Sequence, residues 1–180
     1  MAIQTHATIE DLYRIEGKAE LVNCQIVCDS PTGGLPGYAS VEILVSLRAY
    51  AKKTGQGRAI GDNIGFIVDL PNRQSFSPYA AFYTGELTMK FLDGAPIFAI
   101  EVRSESDYGP AAERKMAQKR ADYFAAGTLV VWDVDLQSDD VVRSYHSDKP
   151  EQPTIYHRGE PASAEPALQD WTMPVNDLFL

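Results

Sequence analysis

Apolar positions along the chain are spaced for a mixed α/β sheet. Ile97 to Val102 and Leu129 to Val134 are short, nearly unbroken apolar runs, the pattern of strands covered on both faces. Between them Gly109-Pro110 opens a helix, because proline at the first helical position gives up only an N–H that had no partner. Gly127 closes it as a C-terminal cap. Strand, crossover helix and strand predict a right-handed βαβ unit. At about 100° per residue, Ala112, Met116, Lys119 and Tyr123 share one stripe of this helix, while Arg114, Gln118, Ala121 and Asp122 face away. A lysine in the packed stripe reaches toward something negative, and Glu101, at the end of the first strand, is the candidate.

The remaining pattern arranges itself around that unit. Thr8-Ile9-Glu10-Asp11 is a capped helix start, predicting a short helix to about Glu16. Ala19 to Val27 reads as two small strands turning at Asn23-Cys24, with Glu20 near the start. Pro31 to Gly37 is a glycine- and proline-rich connection expected to be mobile. Tyr38 to Thr54 is the longest helix, with Val41, Leu44, Val45 and Leu47 as its packing face. Ile64 to Val68 is a strand turning at Pro71-Asn72, with Tyr79 to Tyr83 expected to pair back against it. Thr84 to Asp93 is irregular. Past Asp135, Val141 to Tyr145 predicts an antiparallel edge extension, and Thr154 to Tyr156 with Pro161 to Pro166 a further small sheet. Val175 to Phe179 is a short amphipathic turn.

Length narrows the picture to one domain over residues 1–180, large enough to bury roughly 70% of its unfolded surface. No apolar run is long enough to span a bilayer, and the first six residues lack the basic and apolar regions of a signal peptide, so a cytoplasmic protein is expected. Cys24 and Cys28 lie too far apart along a strand for a disulfide, and buried free thiols are expected. His6, His146 and His157 fall into no triad or ligand spacing. The net charge of −9 repels phosphate at long range, so any contact with nucleic acid must be local. Basic residues cluster at Arg48, Lys52, Lys53 and Arg58, and at Arg114, Lys115, Lys119 and Arg120, where solvated helix faces are the ordinary reading.

Four segments recur in a known order. They are Ser77-Pro78-Tyr79, Glu101-Val102-Arg103-Ser104, Lys119 to Gly127 with Tyr123 at the fourth place after the lysine, and Val130-Val131-Trp132-Asp133. In this order they resemble the PD-(D/E)XK restriction-endonuclease-like superfamily, and more closely the Uma-type family of restriction endonucleases, a domain of unknown function. The resemblance spans about Thr8 to Val142. It implies a restriction-endonuclease-like α/β core: a mixed central sheet of four or more strands, helices on both faces and an antiparallel C-terminal β extension.

The resemblance also implies a chemistry. Hydrolysis of a phosphodiester needs an activated water and relief of charge on the phosphorus oxygens, which Mg²⁺ (or Mn²⁺) on carboxylate oxygens supplies. Glu101 matches the family's metal-binding glutamate. Lys119 matches the helix-borne lysine, Arg103 holds the strand position where other members of the superfamily keep theirs, and Glu20 matches an N-terminal acid beside the metal. Tyr79 stands where the family has its first aspartate, and a neutral phenol is a poor ligand for a hard cation. Another acid (Asp69, Asp93, Glu86 or Asp107) takes that role, or catalysis has been lost, or the sequence carries a substitution there. Two functions follow: a metal-dependent DNA endonuclease acting as a homodimer on two strands, or a catalytically inactive relative serving as a dimeric binding or interaction protein.

Overall fold

The computed structural model describes residues 6–179; Met1–Thr5, part of the stretch read for a signal peptide, lie outside them. Among the described residues no helix is long and apolar enough to cross a membrane.

The chain runs α1 (Ile9–Leu12), β1 (Ala19–Val22), β2 (Gln25–Cys28), α2 (Gly34–Thr54), β3 (Arg58–Ile60), β4 (Phe66–Leu70), β5 (Arg73–Phe76), β6 (Ala80–Tyr83), β7 (Leu92–Asp93), β8 (Phe98–Val102), α3 (Pro110–Ala125), β9 (Val130–Val134), β10 (Val142–His146), β11 (Lys149–Tyr156), β12 (Pro161–Ser163), β13 (Thr172–Pro174) and a 3-10 turn at Val175–Leu178. A six-stranded sheet is ordered β11-β10-β9-β8-β6-β3 and a five-stranded sheet β2-β1-β5-β4-β7. Within the larger sheet β8 and β9 are parallel, joined by α3, and the other pairs are antiparallel.

Alternation along β8 and β9 divides their side chains between two cores. Phe98, Ile100, Val102, Val130, Trp132 and Val134 pack against Ala39, Ile43 and Leu47 of α2 and against the C-terminal Leu168, Trp171 and Met173. Ala99 and Val131 point the other way, to Tyr123 of α3 and to Phe66 and Phe76 of the smaller sheet. The larger sheet therefore has a helix on each face, and α3 shares its face with a second sheet.

Several expectations are corrected. α1 carries the Thr8–Asp11 capping box, but ends at Leu12 rather than near Glu16. α2 begins at Gly34, inside the stretch expected to be a mobile connection, since Pro36 in a first turn costs no hydrogen bond. Its packing face is Ala39, Ile43 and Leu47, at successive four-residue steps; Val41 and Val45 are 53% and 57% exposed. β6 pairs with β3 and β8, not with β4. The Pro71-Asn72 turn leads instead into β5, a polar strand the pattern did not show. Thr154–Tyr156 belongs to β11 of the larger sheet, and Pro161–Ser163 pairs with Thr172–Pro174. Both cysteines are free, but Cys28 is exposed, on an outer strand that is mostly in water, and Cys24 is half-buried in the turn that precedes that strand. Asp122, read as facing away, is buried.

Candidate active site

Glu101 follows Ala99 on the α3 face of β8 and stands beside Asp133 of β9 in register. α3 crosses this face and delivers Lys119, whose Nζ lies 2.8 Å from Glu101 Oε1. The same amine lies 2.8 Å from Glu20 Oε1, which β1 brings in from the smaller sheet. One turn further along α3, the Tyr123 hydroxyl donates to Glu101 Oε1 at 2.7 Å. A lysine thus bridges two glutamates from two different sheets.

The two acids are held unequally. Glu20 Oε1 also accepts the Ser77 backbone N–H at 2.8 Å, and Oε2 meets Arg73 Nη1 at 2.6 Å. Burial is the largest influence on Glu20 and would raise its pKa, but Lys119, Arg73 and the Ser77 N–H together pull it down to about 2. For Glu101 burial prevails, and with the nearby charge of Glu20 it raises the pKa despite Lys119. Glu101 Oε2 takes no hydrogen bond or ion pair from any described residue. Burial disfavours the Lys119 cation, yet the two glutamates outweigh it and raise its pKa, so the amine stays charged.

Of the residues singled out from sequence, Glu101, Lys119 and Glu20 converge. The Tyr79 backbone N–H donates to Ile100 O at 3.0 Å, next to Glu101. Lys18 Nζ lies 3.8 Å from the centroid of the Tyr79 ring, and the hydroxyl meets Thr32 Oγ1 at 3.5 Å. Burial raises the phenol's pKa, so it is neutral. Arg103 is engaged elsewhere: Nε and Nη2 donate to the two Asp133 oxygens at 2.8 and 2.7 Å, and Nη1 pairs with Glu113. Its guanidinium therefore closes a neighbouring ion-pair network instead of meeting Glu101.

Sequence reasoning missed Arg73 and Asp122. Arg73 Nε bonds Asp122 Oδ2 at 2.8 Å while Nη1 holds Glu20. Asn72 and Gln118 both donate to Asp122 Oδ1, at 2.7 and 2.9 Å. An acid so placed on α3, one residue before Tyr123, was the only available signal, and helical phase alone pointed it to water.

A family model described as "Putative restriction endonuclease", Uma2, matches residues 9–176. The chain belongs to the Uma2 family. A crystal structure of a protein from Anabaena variabilis, described as a putative nuclease belonging to DUF820, is similar to it. The two superpose with a TM-score of 0.75 at 17% identity, over 96% of this chain and 97% of that one. At that identity the likeness speaks for the fold alone. No curated protein matches the chain.

Nucleases of the Uma2 type imply a divalent cation, and the donors allow a limited fit. Among the described residues no three His, Cys, Asp or Glu side chains converge as a metal cage. Magnesium, however, is commonly held by one or two carboxylates with water and substrate phosphate completing its shell. The unpartnered Oε2 of Glu101, on an acid short of positive charge, suits that mode. Glu20 does not, since both its oxygens are taken.

Proposed function

We propose that this chain acts on the phosphodiester backbone of DNA as a metal-dependent endonuclease of its family. One observation carries the reading: Lys119 lies 2.8 Å from both Glu101 and Glu20, at the end of a buried strand. A buried acid, a half-buried acid and a lysine with shifted pKa values, at the end of a central strand, form the arrangement that acid–base and phosphate chemistry uses.

The roles divide by what each residue is free to do. Glu101, with Oε2 free, would hold the cation, and the ion would supply a more acidic water and offset the negative charge on the phosphorus oxygens. Tyr123 keeps hold of Glu101 Oε1, fixing the carboxylate's direction. Lys119, on its four-carbon stem, turns its amine to a phosphate oxygen. Glu20, compensated by Arg73 and Ser77, stays ionised when the amine leaves it. Arg103 keeps Asp133 and Glu113 in place along the next strand and helix. Cutting two strands takes two such sites, so the active species is a homodimer.

A specific observation favours a second reading, a catalytically inactive relative that only binds. Where the family has an aspartate, Tyr79 is neutral, and the Lys18 ammonium over its ring is already paired with Asp62 Oδ1 at 2.8 Å, so the position offers a phenol where a carboxylate would meet the ion. Calorimetric titration with Mg²⁺ and Mn²⁺, beside a plasmid-nicking assay, separates the two. Metal binding and nicking by the native chain, both abolished in Glu101→Ala, support the endonuclease. A native chain inert in both, with metal affinity appearing in Tyr79→Asp, supports the inactive relative. Should Tyr79→Asp gain no affinity, position 79 is not the place of the missing ligand.

A further inference from the structure

Arg73 is 7% exposed at its side chain and touches neither Lys119 nor Glu101, yet it is joined to both by two routes. One runs through Glu20 Oε2 at 2.6 Å to Glu20 Oε1 and Lys119. The other runs through aromatic rings. The guanidinium carbon lies 4.9 Å from the centroid of Phe76, Phe76 stacks on Tyr123 at 3.9 Å between centroids, and the Tyr123 hydroxyl donates to Glu101. Arg73, Glu20, Lys119, Glu101, Tyr123 and Phe76 form a closed ring of contacts. Asp122 fastens the ring to α3, holding Arg73 Nε at 2.8 Å while Asn72 and Gln118 hold Asp122.

We propose that Arg73, fixed by Asp122, is a positioning residue of this site, placing the Glu20 carboxylate so that Lys119 is shared between Glu20 and Glu101. Two carboxylates are met by separate nitrogens of one rigid fork, which fixes an angle as well as a distance. A lysine at position 73 would keep the charge and lose the fork. Arg73 also gives Glu20 a second cation, so Lys119 can leave Glu20 for a phosphate without stranding a buried charge. This consequence rests on the nuclease reading above; the positioning itself does not.

The test follows the Lys119 ammonium directly, by its proton–nitrogen NMR signal in the full-length protein, assigned by its loss in Lys119→Met. In the native chain two carboxylates hold the ammonium and give a resolved signal. In Arg73→Lys and in Asp122→Asn the expected result is that the signal moves or broadens away. Met173→Ala, in the C-terminal core, lowers stability without touching the ring and leaves the signal in place. Asp122→Asn, nearly isosteric, keeps the test open should Arg73→Lys not fold. An unmoved signal in either folded variant overturns the proposal, as would an equal change in Met173→Ala. A second arm measures anisotropy of a short labelled DNA duplex with each variant. If no variant nor the native chain binds the duplex while the signal still moves, the nuclease reading fails and the positioning role stands.

Discussion

A lysine between a buried glutamate and a half-buried one makes each of the three positions respond differently to substitution. Removing the amine in Lys119→Met strands two carboxylates of like charge, and breaking such a buried pair costs about 3–5 kcal/mol, read by urea unfolding. Glu101→Gln should cost far less. Its carboxylate is the group burial disfavours in charged form, and an amide oxygen can still accept from Tyr123 and Lys119. Glu20 also sets an acid limit. Its folded pKa of about 2 lies below an unfolded value near 4.5, so it adds stability that is present above about 4.5 and lost as pH falls toward 2. The urea midpoint should therefore drop across that window, and Glu20→Gln should flatten the drop. Had Glu20 been held no better than an exposed acid, the two profiles would coincide. The sequence placed Glu101 and Lys119 well, because a helix-borne lysine in an apolar stripe has few places to go. Arg73 was invisible, since its partner Glu20 lies 53 positions away and only the sheet pairing brings them together.

Among the elements, α2 separates periodicity from packing most clearly. Val41, Leu44, Val45 and Leu47 look like one face in the sequence, but apolar residues surround the helix, so the pattern cannot tell which arc meets the sheet. The arc that does is set by Ala39, Ile43 and Leu47, small and branched residues at four-residue steps against Phe98 and Trp132. Ile43→Ala should cost about 2–5 kcal/mol as a buried deletion, whereas Val45→Ala should change stability by less than about 0.5 kcal/mol. Thermal unfolding of the pair, side by side, checks the assignment; equal losses would mean that the exposed arc is covered in solution. The βαβ unit was legible because its signals are local: a proline start, a glycine stop and two apolar runs. β5 was not, because Arg73, Gln74 and Ser75 carry no strand pattern. Their place comes from the Pro71-Asn72 turn and from the hydroxyl of Ser75, which accepts the Leu21 N–H at 2.7 Å.

For the whole molecule the governing quantity is charge. A body carrying −9 repels a duplex at long range, so the proposed DNA binding must come from a few close contacts. The site has the same sign on a smaller scale: Glu20, Glu101 and Asp122 against Arg73 and Lys119 leave three carboxylates facing two cations. A phosphate entering that cluster meets a surplus of negative charge, which a divalent cation at Glu101 would reverse. With a chelator present, duplex affinity should therefore fall by about tenfold or more, the equivalent of 1.4 kcal/mol. The salt dependence should also be shallow, a slope for about three phosphates or fewer, in contrast to basic DNA-binding proteins that release many counterions. Glu101→Gln separates charge from coordination. By removing one carboxylate it leaves the cluster neutral, so in chelator this variant should bind the duplex more tightly than the native chain while nicking nothing in Mg²⁺. Anisotropy against salt, run for both proteins with and without the ion, reads all four cases. If Glu101→Gln bound no better than the native chain in chelator, the proposed contact between a phosphate and this cluster would fall.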